Sequence, residues 1–152
     1  MLPDTPAYEA VLAAVGEGPP IGVPTAVLSE ITYGISRFAG RNAALLDAQA
    51  WLGGLFDDGL LTALPLTASG AEVAGELRAE RHVPPSGGPG RKSPKTERRV
   101  GWVLDLLIAS TAWVHGYDIV TRNLRDFECI AELLPAPDED SRLLVSEPAF
   151  AP

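Results

Sequence analysis

The sequence has almost none of the residues that form covalent staples or soft-metal sites. Its 152 residues include one cysteine, Cys129, and two histidines, His82 and His115. A single thiol excludes an intrachain disulfide framework and a cysteine-based zinc cluster. Two histidines are too few and too poorly placed for a zinc site or a catalytic triad, so both read as surface or helix-end residues. No glycine-rich phosphate loop is present: Gly87, Gly88 and Gly90 match neither the Walker nor the dinucleotide-binding spacing. Ser29 and Ser110 lack the context of a nucleophile elbow. The longest apolar run, residues 100–114, is too short for a membrane span and contains a carboxylate. The N-terminal MLPDTPAYEA has neither a basic segment nor an apolar segment of the secretory type, and a cytoplasmic protein is expected.

What is present is enough apolar material for a folded domain. Hydrophobic residues make up 46% of the chain, which excludes general disorder and fits a single domain, here placed at residues 1–146 with a flexible tail at 147–152. The formal net charge is −8, which argues against nucleic-acid binding by the whole surface, because phosphate neutralisation needs cations. The distribution qualifies that inference. Of twelve Lys and Arg residues, Arg91, Lys92, Lys95, Arg98 and Arg99 fall in one short strip that is able to hold a polyanion locally. The plainer reading of the same strip is a solvated loop that balances nearby acids.

The hydrophobic pattern predicts helices over residues 5–16, 25–38, 42–57, 69–82, 98–115 and 124–133. Short strands are predicted at 21–23, 60–65, 117–121 and 143–145. Ser69 and Glu72 have the spacing of a capping box. Residues 84–97 are rich in Pro, Gly and charge and read as a loop; residues 138–140 and the tail read as exposed. Helices alternating with short apolar strands indicate an α/β domain with a mostly parallel sheet, and such sheets place their sites beyond the carboxyl ends of the strands. Asn123 and Asp126 would sit there, just after the 117–121 strand.

Asp105 carries the chemical signal. It is the only charge in VGWVLDLLIASTAWV, with Val103, Leu104, Leu106, Leu107 and Ile108 around it, and its place near the predicted helix start suits the helix dipole. An isolated buried carboxylate is costly, so such a group is normally protonated, paired or bound to a cation. A structural pairing with Arg98 or Arg99 is the plainer explanation. Glu30 interrupts a second apolar stretch, VPTAVLSEITYGI, and Gly34, one turn on, suggests a close approach to that helix face. The plainer reading is an acid at the edge of an amphipathic helix. Asn123 and Asp126 are each explicable as helix-start residues. Taken together, clustered carboxylates without other catalytic groups fit metal-assisted phosphodiester hydrolysis, because Mg²⁺ prefers oxygen ligands and is commonly held by one or two carboxylates.

Three segments in order, PTAVLSEITYGI, PLTASGAEVAGELRAE and VLDLLIASTAWVHGYDIVTRNLRDF, resemble those of PIN-domain ribonucleases of the VapC-like toxin group, over about Val23 to Leu134. The resemblance implies a parallel sheet sandwiched by helices, and an RNA endonuclease dependent on Mg²⁺ or Mn²⁺. It implies that the protein dimerises and is neutralised by a cognate antitoxin. It places Glu30, Asp105 and Asp126 as metal ligands and catalytic acids, with Thr121 and Asn123 supporting them. The Arg91–Arg99 strip would then bind RNA. The pattern departs at the N-terminus, where the family opens with an apolar strand ending in an Asp-Thr-Asn motif. Asp4-Thr5 is flanked by Pro3 and Pro6 and follows no such strand, so residues 1–16 are expected to match the helix after that motif, with the first strand and its Asp missing. The alternative function is therefore a catalytically silent PIN-like module that binds antitoxin or RNA. An unrelated α/β phosphohydrolase fits less well, because the nucleophile-bearing strand it needs is absent too.

Overall fold

A computed structural model describes residues 13, 18–38, 40, 42, 44–85, 95–136 and 141–148. The chain divides into two compact units, one of residues 1–64 and 149–152 and one of Pro65–Pro148. The predicted helix at 5–16, apart from helical Ala13, and the expectation of a missing first strand fall outside the described residues. So do residues 138–140 and 91–94 of the basic strip, together with the side chains of residues 95–98.

In the first unit, β1 (Ile21–Pro24) leads directly into α1 (Thr25–Phe38), and α2 (Ala44–Asp57) leads into β2 (Leu61–Leu64). β1 and β2 pair in parallel, with Ile21 opposite Leu61 and Pro24 opposite Leu64. Proline lacks the N–H to extend a ladder, which fits Pro24 at the last paired position. α2 ends where Gly59 takes φ +72. Leu60 N–H reaches Leu55 C=O and Gly59 N–H reaches Phe56 C=O, the two bonds of a Schellman motif, which needs a residue tolerant of the left-handed region. The close approach expected at Gly34 is not found: among the described residues, a Cβ built there meets nothing within 4 Å.

The second unit holds α3 (Ala68–Glu80), α4 (Lys95–Val114), β3 (Ile119–Val120), α5 (Leu124–Leu133) and β4 (Val145–Ser146). β3 and β4 pair in parallel, Ile119 opposite Val145. The core is built on α4, whose Trp102, Leu106, Ala109 and Ala112 recur at helical spacing and are buried with Ala74 and Leu77 of α3 and Phe127 and Ile130 of α5. Polar groups drawn into this core are satisfied locally. The hydroxyls of Ser110 and Thr111 bond back to the carbonyls of Leu106 and Leu107, and the Trp102 indole N–H donates to the Arg81 carbonyl at 2.8 Å. Each would otherwise cost about 1–3 kcal/mol as an unmet buried donor.

Two boundaries differ from the sequence expectation, each for a local reason. α3 starts at Ala68 with Thr67 as its cap: Thr67 Oγ1 accepts the Gly70 N–H at 3.1 Å, so the Ser69–Glu72 pair is not the capping box. Ser69 Oγ instead lies 3.0 Å from the Thr67 hydroxyl. α4 starts at Lys95 rather than near Arg98, and Asp105, ten residues on, lies beyond the reach of the terminal dipole, which fades within the first turn. The end of α4 is as expected, with Gly116 at φ +72 in a second Schellman arrangement closed by Tyr117 N–H on Ala112 C=O.

Because one hydroxyl supplies the α3 cap, Thr67→Ala is expected to lower unfolding free energy by about 1 kcal/mol. Ser69→Ala should change it by less than half of that. Urea titrations with unchanged m-values will distinguish the two.

Candidate functional site

β3 delivers the chain to the site. Its last residue, Val120, is followed by Thr121, whose Oγ1 accepts the Asn123 backbone N–H at 3.1 Å and fixes the turn into α5. Asn123 occupies the N-cap position but makes no side-chain capping bond. Its amide is used elsewhere. Asn123 Nδ2 donates to Asp126 Oδ2 at 3.1 Å and, in a longer bond, to Asp105 Oδ2 at 3.4 Å. A single neutral amide thus spans two carboxylates, one from the middle of α4 and one from the first turn of α5.

The two carboxylates sit in different surroundings. Asp126 is 4% exposed, beside Phe127 in the core, and takes its place in the α5 first turn, where the dipole favours an anion. Asp105 is half-buried. Burial pushes its carboxyl up to about 6, and the negative charge of Asp126 adds to the rise. Asp105 finds an amide partner in Asn123; the Arg98 side chain, one of the two arginines its sequence context offered, lies outside the described residues. Two anions this close, held by one amide, make a site that gains from a positive charge between them.

The donor set fits a hard divalent ion. Asp105 and Asp126 offer carboxylate oxygens, and the Asn123 amide, whose N–H group faces them, retains a carbonyl oxygen. Mg²⁺ is commonly held by one or two carboxylates with water completing its octahedron. Among the described residues no group of three or more His, Cys, Asp and Glu side chains converges. Glu30 stands exposed on α1 in the other unit. Of the residues marked out in the sequence, Asp105, Thr121, Asn123 and Asp126 are brought together. Arg91 and Lys92 lie outside the described residues, as do the side chains of Lys95 and Arg98, and Arg99 lines a surface groove with Arg78, Val100 and Leu107. A separate cavity of about 310 Å³ lies before β3, lined by Trp113, Tyr117, Asp118 and Arg142.

A model of the PIN domain matches residues 2–133, and the chain belongs to that family, whose members are generally metal-dependent nucleases. The match begins well upstream of Val23, where the sequence resemblance was first legible. Among solved structures, the fold is similar to a chain of VapBC2 from Rickettsia felis, crystallised bound to a DNA fragment from their promoter. The TM-score is 0.55 at 23% identity, covering 94% of this chain and 86% of that one. No curated protein matches. The observed helices and parallel strand pairs are those of the α/β PIN fold. No helix among the described residues is long and apolar enough to cross a membrane.

The raised Asp105 carboxyl has a thermodynamic consequence with a definite sign. Between the ordinary value near 4 and about 6, the folded chain holds a proton that the unfolded chain has lost. Stability therefore falls as pH rises through that window and levels off above it. With divalent ions chelated, urea midpoints should show this decline, and Asp105→Asn should flatten it and raise the midpoint at pH 7. An unchanged slope in that variant would remove Asp105 as the cause.

Proposed function

We propose that this chain is a VapC-type toxin: a Mg²⁺- or Mn²⁺-dependent endoribonuclease that hydrolyses RNA phosphodiester bonds and is neutralised by a cognate antitoxin. The observation that carries the proposal is the meeting of Asp105 and Asp126 around the Asn123 amide, within a domain of a family of metal-dependent nucleases. The likeness to a VapBC2 chain supports the antitoxin partner. A homodimer and a cytoplasmic setting belong to the same reading.

Asp105 and Asp126 would hold the ion, and the family pattern also assigns Glu30 as a catalytic acid. A divalent ion bound there would screen the scissile phosphate and lower the pKa of an attached water. The chain's own residues supply position and charge. Asp105 ionises above about pH 6, so ion affinity should fall as pH drops below that point. Asn123 holds the two carboxylates at a fixed spacing, and Thr121 holds Asn123 through its backbone N–H. The Arg91–Arg99 strip is assigned to guiding RNA phosphates towards the carboxylates.

A second reading, a catalytically silent module that binds antitoxin or RNA, draws on the fact that only two carboxylates converge among the described residues. Calorimetry with Mn²⁺ separates the two, since the silent module predicts no ion binding with partner binding retained. For the nuclease, Mn²⁺-dependent cleavage of single-stranded RNA should fall at least about a hundredfold in Asp105→Asn, the scale on which loss of an electrostatic group acts in hydrolysis. Mn²⁺ affinity should fall with it. Undiminished cleavage by Asp105→Asn would end the assignment.

A further inference from the structure

We infer that Arg122 and Arg125 are substrate-positioning residues that hold the RNA backbone beside the carboxylate pair, an inference that rests on the nuclease reading above. Arg122 immediately precedes Asn123, and Arg125 immediately precedes Asp126. Both side chains are exposed, and among the described residues neither guanidinium is held in an ion pair. Among the described residues nothing ties these cations down, yet they bracket the residue that spans the site.

Their positions are also wrong for stability. Arg125 lies in the first turn of α5 (Leu124–Leu133) and Arg122 just ahead of the cap. A cation there opposes the positive end of the helix dipole and weakens the helix. Acidic residues are the favoured choice in a first turn, and Asp126 occupies that role from the buried side. Two exposed arginines on the unfavourable end therefore call for a ligand rather than a structural explanation.

The ligand chemistry follows from charge. A chain of net charge −8 repels a polyanion at long range, and Asp105 and Asp126 repel it again at the site. A phosphodiester strand can approach that pair only where local cations outweigh it. Arg122 and Arg125 supply two such cations on the very turn that carries Asn123, and guanidinium groups suit bidentate pairing with phosphate oxygens. Interactions with the backbone position a strand without reading its sequence, so the pair is expected to act equally on RNAs of different sequence.

The test uses the full chain and a labelled single-stranded oligoribonucleotide, titrated by fluorescence anisotropy with divalent ions chelated, across a series of salt concentrations. Arg122→Ala combined with Arg125→Ala should weaken binding about tenfold or more at low salt. The slope of log affinity against log salt should become shallower by about 1.4, or about 0.7 for each phosphate of a single strand that is no longer neutralised. Lysine at both positions should restore most of the slope. Mn²⁺ affinity at the carboxylates should stay within about twofold, and the urea midpoint should hold or rise as the dipole conflict is removed. In cleavage assays the loss should appear in KM more than in kcat. An unchanged affinity and slope overturns the inference, as does a loss explained by a lowered urea midpoint, and so does tighter binding to single-stranded DNA than to RNA. Because binding is measured without metal, a chain that binds RNA through these arginines but takes up no Mn²⁺ would refute the metal site alone.

Discussion

Everything at the site depends on two like charges being kept within reach of one amide. Asp105 and Asp126 come from different helices, and the Asn123 side chain donates to both. Left alone, the pair would separate or take up a proton; burial first, and the charge of Asp126 after it, push the Asp105 carboxyl up to about 6. The fold holds the arrangement because neither acid can leave easily. Asp126 is packed among core residues of α5, and Asp105 projects from a helix whose Trp102, Leu106 and Ala109 are fixed against α3 and α5. A stable core is thus used to maintain an electrostatically unfavourable pair, which is the arrangement that a bound cation would relieve.

The surrounding devices serve that geometry. The Schellman glycine at 116 stops α4 abruptly and turns the chain into β3, whose pairing with β4 fixes where Thr121 emerges. Leu144 N–H on Asp118 Oδ1 secures the start of the same strand. Thr121 then restrains the Asn123 backbone, so the amide that spans the carboxylates is anchored at both ends. Asn123 forgoes the capping bond that its position offers, giving up of the order of 1 kcal/mol of helix stability. With Arg122 and Arg125 set against the α5 dipole, three residues in this turn depart from what helix stability alone would select.

Much of this was legible in the sequence because its signals are local. The helices at 25–38 and 124–133 follow from hydrophobic periodicity. Asp105 stood out because a lone charge in an apolar helical run needs a reason, and the TRNLRDF segment was recognisable by its family pattern. The errors were local as well. Thr67 and Ser69 are both competent caps, and which one is used depends on the backbone entering α3. The first turn of α4 lies in a polar, basic stretch that carries no apolar period, so its start at Lys95 was invisible. Gly34 suggested close packing that is not found among the described residues.

Composition and order of residues alone determined that this is an α/β chain with stranded acids in apolar surroundings, because burial cost is a property of side chains and their neighbours in sequence. Only the tertiary structure decided that Asp105 meets Asn123 and Asp126, and that the asparagine serves the carboxylates instead of its own helix. Those outcomes depend on distances between α4 and α5 that are set by packing across the core. Sequence spacing along a single helix does not encode them.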